Sequence, residues 1–285
     1  MTLLLCATCA AIPNLTEDDQ ALIRPLAERG IEATAAVWSD PNVRWESADA
    51  VVIRSCWDYH LRLKEFLGWI SGLERAGVGV WNPPPIVRWN ADKIYLRDLE
   101  RKGVPIVPTL WPEEGFSLRD GLREMEWSKA VIKPRVSATA HRTQITTIED
   151  ADGAQPLCDD LLRGPGLMIQ QFMESVLTHG EWSLIFFAGK YSHAVIKTPK
   201  AGDFRVQHDH GGSERSAAPP DFAVAAALQA LSAVESVPLY ARVDGVESNG
   251  RFLLMELELI EPALFLRLSA GAAERFAEAI AARGL

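Results

Sequence analysis

The 285-residue chain is 48% hydrophobic and 24% charged, with a formal net charge of −9. That is an ordinary globular composition, with length for one large domain or two to three small ones. The acidic balance excludes an extended nucleic-acid surface, because phosphate contacts need clustered Lys and Arg. No apolar run reaches the roughly 18 residues of a membrane span, and the start lacks a basic n-region, so a cytoplasmic protein is expected. Of the four cysteines, Cys6 and Cys9 have redox or metal spacing. No second pair completes a zinc site, and buried thiols are the expectation.

In chain order, residues 3–7 form a short apolar run expected to be a buried strand. Thr16 is placed to cap a helix with an acidic first turn (Glu17, Asp18, Asp19) that runs to Gly30. Residues 31–37 and 50–53 read as strands. Leu63, Phe66, Leu67, Ile70 and Leu73 recur at helical spacing up to Gly77, and 78–81 is a fourth strand. Strands alternating with helices imply a parallel, doubly wound α/β layer whose ligands sit beyond the carboxyl ends of the strands. Arg54 and Asp58 lie there, readable as holders of a zwitterionic substrate or as a surface ion pair.

The run Pro83-Pro84-Pro85 marks a first boundary, and Asn90 is placed to cap a helix over 92–102. A strand at 106–109, a helix at 118–125 and a strand at 130–133 follow, and the last ends in Lys133. The next stretch, Ser137 to Thr143, is small and hydroxylic. Residues 155–162 read as a helix; 167–171, 182–187 and 191–197 read as strands. The loop 199–220 is longer than compact domains carry without a functional reason. An Ala-rich helix at 222–234 precedes a hairpin, and an amphipathic helix at 270–282 ends the chain.

The hairpin holds Arg242-Val-Asp244 on one strand and Arg251 to Glu258 on the other, around Ser248-Asn249-Gly250. Strict alternation puts Leu253, Met255, Leu257 and Leu259 on one face and Leu254, Glu256, Glu258 and Ile260 on the other. Asp244 can reach the face of Glu256 and Glu258. Three carboxylates there repel one another unless a cation joins them. The face is either a solvated edge or a Mg²⁺ site with hard oxygen ligands.

This order of parts resembles the ATP-grasp superfamily. Arg242-Val-Asp244 with Glu256-Leu-Glu258 is similar to elements of D-alanine–D-alanine ligase. Phe204-Arg205-Val with Gly211-Gly212 is similar to the substrate loop of bacterial glutathione synthetase. Trp57-Asp-Tyr, Arg88-Trp-Asn90, Gly180-Glu181 and Glu256-Leu-Glu258-Leu-Ile-Glu-Pro262 most resemble a branch that includes the D-cycloserine-forming cyclo-ligase. The resemblance implies a pre-ATP-grasp α/β domain over 1–88, a small ATP-grasp subdomain over 89–165 and a C-terminal subdomain over 166–285.

It also implies roles. Lys93 and Lys133 would contact nucleotide phosphates, and Ser137 and Thr139 belong to the loop that covers them. That loop departs from the family in having no glycine, so positive φ angles are harder to reach. Gln170, Gln171, Phe172 and Met173 would form the hinge against adenine, with Glu181 toward the ribose. Asp244, Glu256 and Glu258 would hold two Mg²⁺ ions, with Mn²⁺ as a substitute. Glu258 stands where the commoner pattern has Asn. Arg205 and Arg242 would face the transferring phosphoryl group, assisted by Lys197. Gly211, Gly212, Arg54 and Asp58 would serve the substrate. The implied activity is an ADP-forming carboxylate–amine ligation through an acyl phosphate on a small amino-acid-like substrate. Cyclisation of a single substrate and non-catalytic nucleotide binding are the alternatives. A homodimer is an open expectation, since dimers are frequent among such proteins.

Overall fold

The computed structural model describes residues 2–200 and 211–284. The N-terminal layer is parallel throughout, as alternation of strand and helix requires. Strands β1 (Thr2–Thr8), β2 (Ile31–Val37), β3 (Ala50–Ser55) and β4 (Gly79–Trp81) lie in the order β2-β1-β3-β4. Thr16 caps as expected, its hydroxyl accepting from the Asp19 N–H at 3.0 Å. The single helix expected over 16–30 is instead two, α1 (Glu17–Gln20) and α2 (Ile23–Ala27). Pro25 has no N–H to donate back to Ala21, and the turn breaks there. Helix α3 (Leu63–Arg75) covers the layer with Phe66, Ile70 and Leu73 buried.

The proline run opens a helix rather than a linker. Helix α4 (Pro84–Asn90) begins on prolines that have no donor to waste in a first turn. Asn90 therefore does not cap the next helix, α5 (Tyr95–Arg101). Its side chain is spent on the far hairpin, donating to Leu257 O and accepting from Leu259 N, both at 2.8 Å.

A second sheet contains β5 (Thr109–Leu110), β6 (Lys129–Pro134), β7 (Gln144–Thr147) and β8 (Leu167–Gln171) in the order β5-β8-β6-β7. Helices α6 (Leu118–Glu124) and α7 (Ala151–Arg163) pack on it through Leu118, Leu122, Cys158 and Leu161. Strand β8 pairs with β6 and β5, so this sheet extends past the boundary expected at 165.

The third sheet is antiparallel, in the order β11-β10-β9-β12-β13. Its strands are β9 (Glu181–Phe187), β10 (Lys190–Thr198), β11 (Ser213–Ser216), β12 (Tyr240–Ser248) and β13 (Arg251–Glu258). Strand β11 lies inside the stretch read as loop from the sequence. The short helix α8 (Ser175–Thr178) links β8 to β9. Helix α9 (Asp221–Ser232) and α5 bury Ala227, Ala230, Leu96 and Leu99 against Leu184, Phe186, Val243 and Leu257. The other face meets the terminal helix α10 (Ala272–Ala281), whose Phe276 and Ile280 share a core with Leu4, Leu22 and Leu26.

Polar groups stitch the N-terminal layer to the segment that leaves β13. The Tyr240 hydroxyl lies 2.8 Å from the carbonyls of both Ile53 and Ile260. Asn82, fully buried, donates to Tyr240 O and Leu259 O and accepts from Leu239 N. The four cysteines are all free and buried, and burial pushes the Cys6 thiol up to about 12, which makes it inert. No described helix is long and apolar enough to cross a membrane.

Candidate active site

The second and third sheets face each other across a cleft of about 270 Å³, closed at one end by Trp57 and Tyr59 from the N-terminal layer. The hairpin supplies its acidic floor, but not by strict alternation. Asp244 pairs with Glu256 and Gly245 with Leu254, so Met255 is an extra residue, a β-bulge. Phe252 and Leu254 are buried before the bulge, and Leu257 and Leu259 after it. Met255, Glu256 and Glu258 line the cleft. The sequence reading that put Leu253 and Met255 on the face of Leu257 and Leu259 fails because it assumed an unbroken period of two; both pack instead against Val107, Val176 and Val246. Gly245 permits the bulge: a Cβ there would lie 2.3 Å from Phe252 Cζ and 2.5 Å from Leu253 O.

Each acid in this floor is drawn to a cation. Asp244 is buried, accepting from Ser183 Oγ at 2.5 Å, Lys197 Nζ at 3.1 Å and Arg242 Nε at 3.0 Å. Burial raises its carboxyl, but Arg242 and Lys197 outweigh burial and hold it at about 2. Arg242 also pairs with Glu258. Burial lifts Glu258 to about 7, and Glu256 and Asp244 add to the rise against the pull of Arg242. Lys197 bridges Asp244 to Glu181, a buried acid that burial raises. Lys93 Nζ donates to Ser137 O at 2.6 Å and lies 3.1 Å from Glu256. Lys133, shifted down by burial, donates to Gln170 Oε1 at 2.6 Å.

Thus Lys93, Lys133, Ser137, Thr139, Gln170, Gln171, Phe172, Met173, Glu181, Lys197, Arg242, Asp244, Glu256 and Glu258 all line one cleft. The expected three-carboxylate metal cluster is not assembled among the described residues. Asp244 spends both oxygens on Ser183, Lys197 and Arg242, whereas Glu256 and Glu258 each pair through one oxygen and keep the other. Those two hard donors fit a divalent cation, and Asp244 fits one only if its cations release it. In the hinge, the N–H groups of Gln171 and Phe172 already donate to Pro108 O and Lys129 O, at 2.9 and 3.2 Å. The glycine-free loop does reach the left-handed region, through Thr139, Ala140 and Arg142 at φ of 52, 54 and 54°.

The four expected substrate residues do not line the cleft. Arg54 is 1% exposed; its Nε meets Asp19 Oδ1 at 2.8 Å and its guanidinium donates to Pro262 O at 2.7 Å. A strand-end arginine beside a buried acid is held by that acid, so it is a structural clamp and not a substrate group. Asp58, between two residues that line the cleft, accepts from Trp38 Nε1 at 2.7 Å and neighbours Arg62 instead. Gly211 and Gly212 do not line the cleft either, the first being exposed at φ +81°. Arg205, and the run His208-Asp209-His210 that the sequence offers either as metal ligands or as a polar lid, lie outside the described residues. Sequence reasoning assigned no role to Trp57, Tyr59, Tyr95 or Glu261, all of which line the cleft. The third acid of the Glu256-x-Glu258-x-x-Glu261 run was the available signal.

Residues 4–82 match the family model described as the N-terminal domain of D-cycloserine synthetase DcsG. The cycloserine biosynthesis protein DcsG of Streptomyces lavendulae is 33% identical over a 304-residue alignment covering 99% of each chain. The crystal structure of D-cycloserine synthetase DcsG matches with a TM-score of 0.88 at 32% identity, covering 99% of both chains. Two more distant structures share the fold. The ATP-grasp ligase PsnB, solved with a phosphomimetic precursor variant, Mg and ADP, matches at TM-score 0.66 and 16% identity over 100% of this chain and 99% of that one. The D-alanine–D-alanine ligase of Bacillus anthracis, complexed with ATP, matches at 0.70 and 16% over 99% and 97%. With its doubly wound N-terminal layer, its cleft between two antiparallel sheets and its end-to-end match to DcsG, the chain belongs to the DcsG family of ATP-grasp ligases.

Proposed function

We propose that the cleft transfers the γ-phosphoryl group of ATP to a carboxylate of a small amino-acid-like substrate. An amine then displaces phosphate from the acyl phosphate, and the products are an amide, ADP and Pi. The observation that carries this reading is the convergence of Lys93, Lys133, Lys197 and Arg242 with Glu256 and Glu258 on one cleft. Phosphoryl transfer needs little covalent help from a protein; it needs in-line positioning and neutralisation of charge on the transferred oxygens.

The chain divides that work by position. Lys133, at the end of β6, and Lys93 would take the nucleotide phosphates under the 137–143 loop. The Met173 N–H would serve the adenine edge, because the two preceding N–H groups are committed. Arg242 would face the transferred group with a planar fork suited to its oxygens. Glu256 and Glu258 would hold Mg²⁺, joined by Asp244 once phosphates draw Lys197 and Arg242 away. Bound there, Mg²⁺ supplies charge neutralisation between phosphate groups. The raised Glu258 favours the same reading, since a crowded carboxylate gains most from an added cation. Arg205 is proposed as a second guanidinium for the acyl phosphate.

Incubating the protein with Mg²⁺, ATP and pooled amino acids, and measuring ADP, AMP and Pi, tests the scheme. Equal amounts of ADP and Pi that depend on an amino acid support it; AMP formation refutes it. The relation to D-cycloserine synthetase favours a second reading, in which the carboxylate and the attacking nitrogen belong to one molecule. D-cycloserine is then the product to look for. Turnover of a single added substrate, with a product smaller by the elements lost on ring closure, separates cyclisation from ligation.

A further inference from the structure

The cleft acids are not alike. Glu181 and Asp244 pair with Lys197, Asp244 and Glu258 with Arg242, and Glu256 with Lys93. Glu261 lines the same cleft at 9% exposure, yet among the described residues its carboxylate has no Lys, Arg or His nitrogen within salt-bridge range. Burial and the charge of Glu258 raise its carboxyl, and the more distant charge of Lys93 and its own backbone N–H only partly offset them. An ionised carboxylate taken out of water without a partner is costly.

Nor is Glu261 a loose side chain that found a quiet corner. Three consecutive carbonyls hold its backbone. Ile260 O lies 2.8 Å from the Tyr240 hydroxyl, Glu261 O accepts from Trp57 Nε1 at 3.0 Å, and Pro262 O accepts from the Arg54 guanidinium at 2.7 Å. Two of these donors, Arg54 and Trp57, stand at the carboxyl end of β3. That is where a doubly wound layer places its ligand. The N-terminal layer is thus fastened to the backbone that presents this acid. Aromatic Trp57 and Tyr59, whose faces suit a cation, line the cleft with it.

We propose that Glu261 is the recognition site for the substrate's cationic amino group, with Trp57 and Tyr59 as its walls. The inference rests on the ligase reading above and adds what that reading lacks, the feature by which the cleft selects an amino acid over a simple carboxylic acid. A ligand ammonium supplies the direct ion-pair partner that no described residue gives this acid. It also sets the substrate's polarity, with its amino end against the N-terminal layer and its carboxylate toward Arg242 and the nucleotide phosphates. Glu261 lies beyond the end of β13, separated from Glu258 by two buried residues, Leu259 and Ile260. It thus extends the acidic floor from Glu256 and Glu258, whose charges it feels, toward the N-terminal layer.

The test is calorimetric titration of wild type, Glu261→Gln and Glu261→Asp, first with Mg²⁺ and a non-hydrolysable ATP analogue. The second titrants are D-alanine, D-serine and D-cycloserine, each beside its N-acetyl form. At least one amino probe is expected to bind wild type in preference to its acetylated form. Glu261→Gln is expected to weaken that binding about 30-fold or more, with nucleotide affinity unchanged and partial recovery in Glu261→Asp. Nucleotide binding also reports that the isosteric variant is folded. The proposal is overturned if wild type shows no preference for any amino form, if Glu261→Gln keeps its amino-probe affinity, or if Glu261→Gln loses nucleotide binding. Failure of wild type to bind the nucleotide analogue would instead overturn the ligase reading on which the inference rests.

Discussion

Replacing Glu258 with Gln removes one of three carboxylates crowded around Arg242 while keeping a hydrogen-bond acceptor for it. Burial, and then Glu256 and Asp244, lift Glu258 from an ordinary 4.5 to about 7. The folded protein thus holds this proton more tightly than the unfolded chain does. The group's contribution to stability is greatest below pH 4.5 and is lost as pH rises through 7. Over that window the ionised form costs the folded state on the order of 3 kcal/mol, from the 2.5-unit difference between 4.5 and about 7. Gln cannot ionise, so in metal-free protein Glu258→Gln is expected to be more stable at pH 8.5 by up to about that amount. The gain is expected to shrink by roughly 1–2 kcal/mol at pH 6, where much of the penalty is already relieved in wild type. Urea unfolding with EDTA at the two pH values measures it. A variant less stable than wild type at pH 8.5, or a gain independent of pH, refutes the crowding argument. With Mg²⁺ and ATP the sign is expected to reverse, because the metal then needs the charge that Gln lacks.

Lys197→Met strands Glu181 as a buried acid and leaves Asp244 to Arg242 and Ser183, and a loss of about 3–5 kcal/mol in denaturant unfolding is expected, with loss of nucleotide binding. Arg54→Met leaves Asp19 buried and unpaired, so a similar loss of about 3–5 kcal/mol is expected. Asp19→Asn in the same chain should recover part of it, and an altered substrate KM with intact stability would return Arg54 to the substrate site. Ala140→Gly removes the left-handed strain at φ 54° and should stabilise the covering loop by about 0.5–1 kcal/mol, read by unfolding with bound nucleotide. A destabilised Ala140→Gly would show that the loop gains more from chain stiffness than it loses to strain.

The architecture was legible because its signals were local. Strands alternated with periodic helices in the first layer, and Lys93, Lys133 and the Arg242 hairpin followed in a recognisable order. The failures came where a distant group decided the outcome. Asn90 looked like a cap until its amide was claimed by β13, across the chain. Arg54 looked like a substrate group because nothing near it in sequence announces Asp19 as its buried partner. The proline run read only as a boundary because proline's place in a first helical turn is not marked by its neighbours. Strand β11 was hidden in polar residues because edge pairing with β10 leaves most of its side chains exposed, and no apolar alternation marks it.

The bulge at Met255 makes the hairpin carry two reading frames. Phe252 and Leu254 are set in one frame and Leu257 and Leu259 in the other, with a single residue joining them. Deleting Met255 would give the strand an unbroken period of two from Phe252 onward. Each flank would keep its own face, with Leu257 and Leu259 still inward and Glu256 and Glu258 still in the cleft. What the extra residue adds is local, a bend and a stronger twist between Leu254 and Glu256. Met255 therefore bears on the angle at which the two acids meet the cleft, and not on which face they occupy.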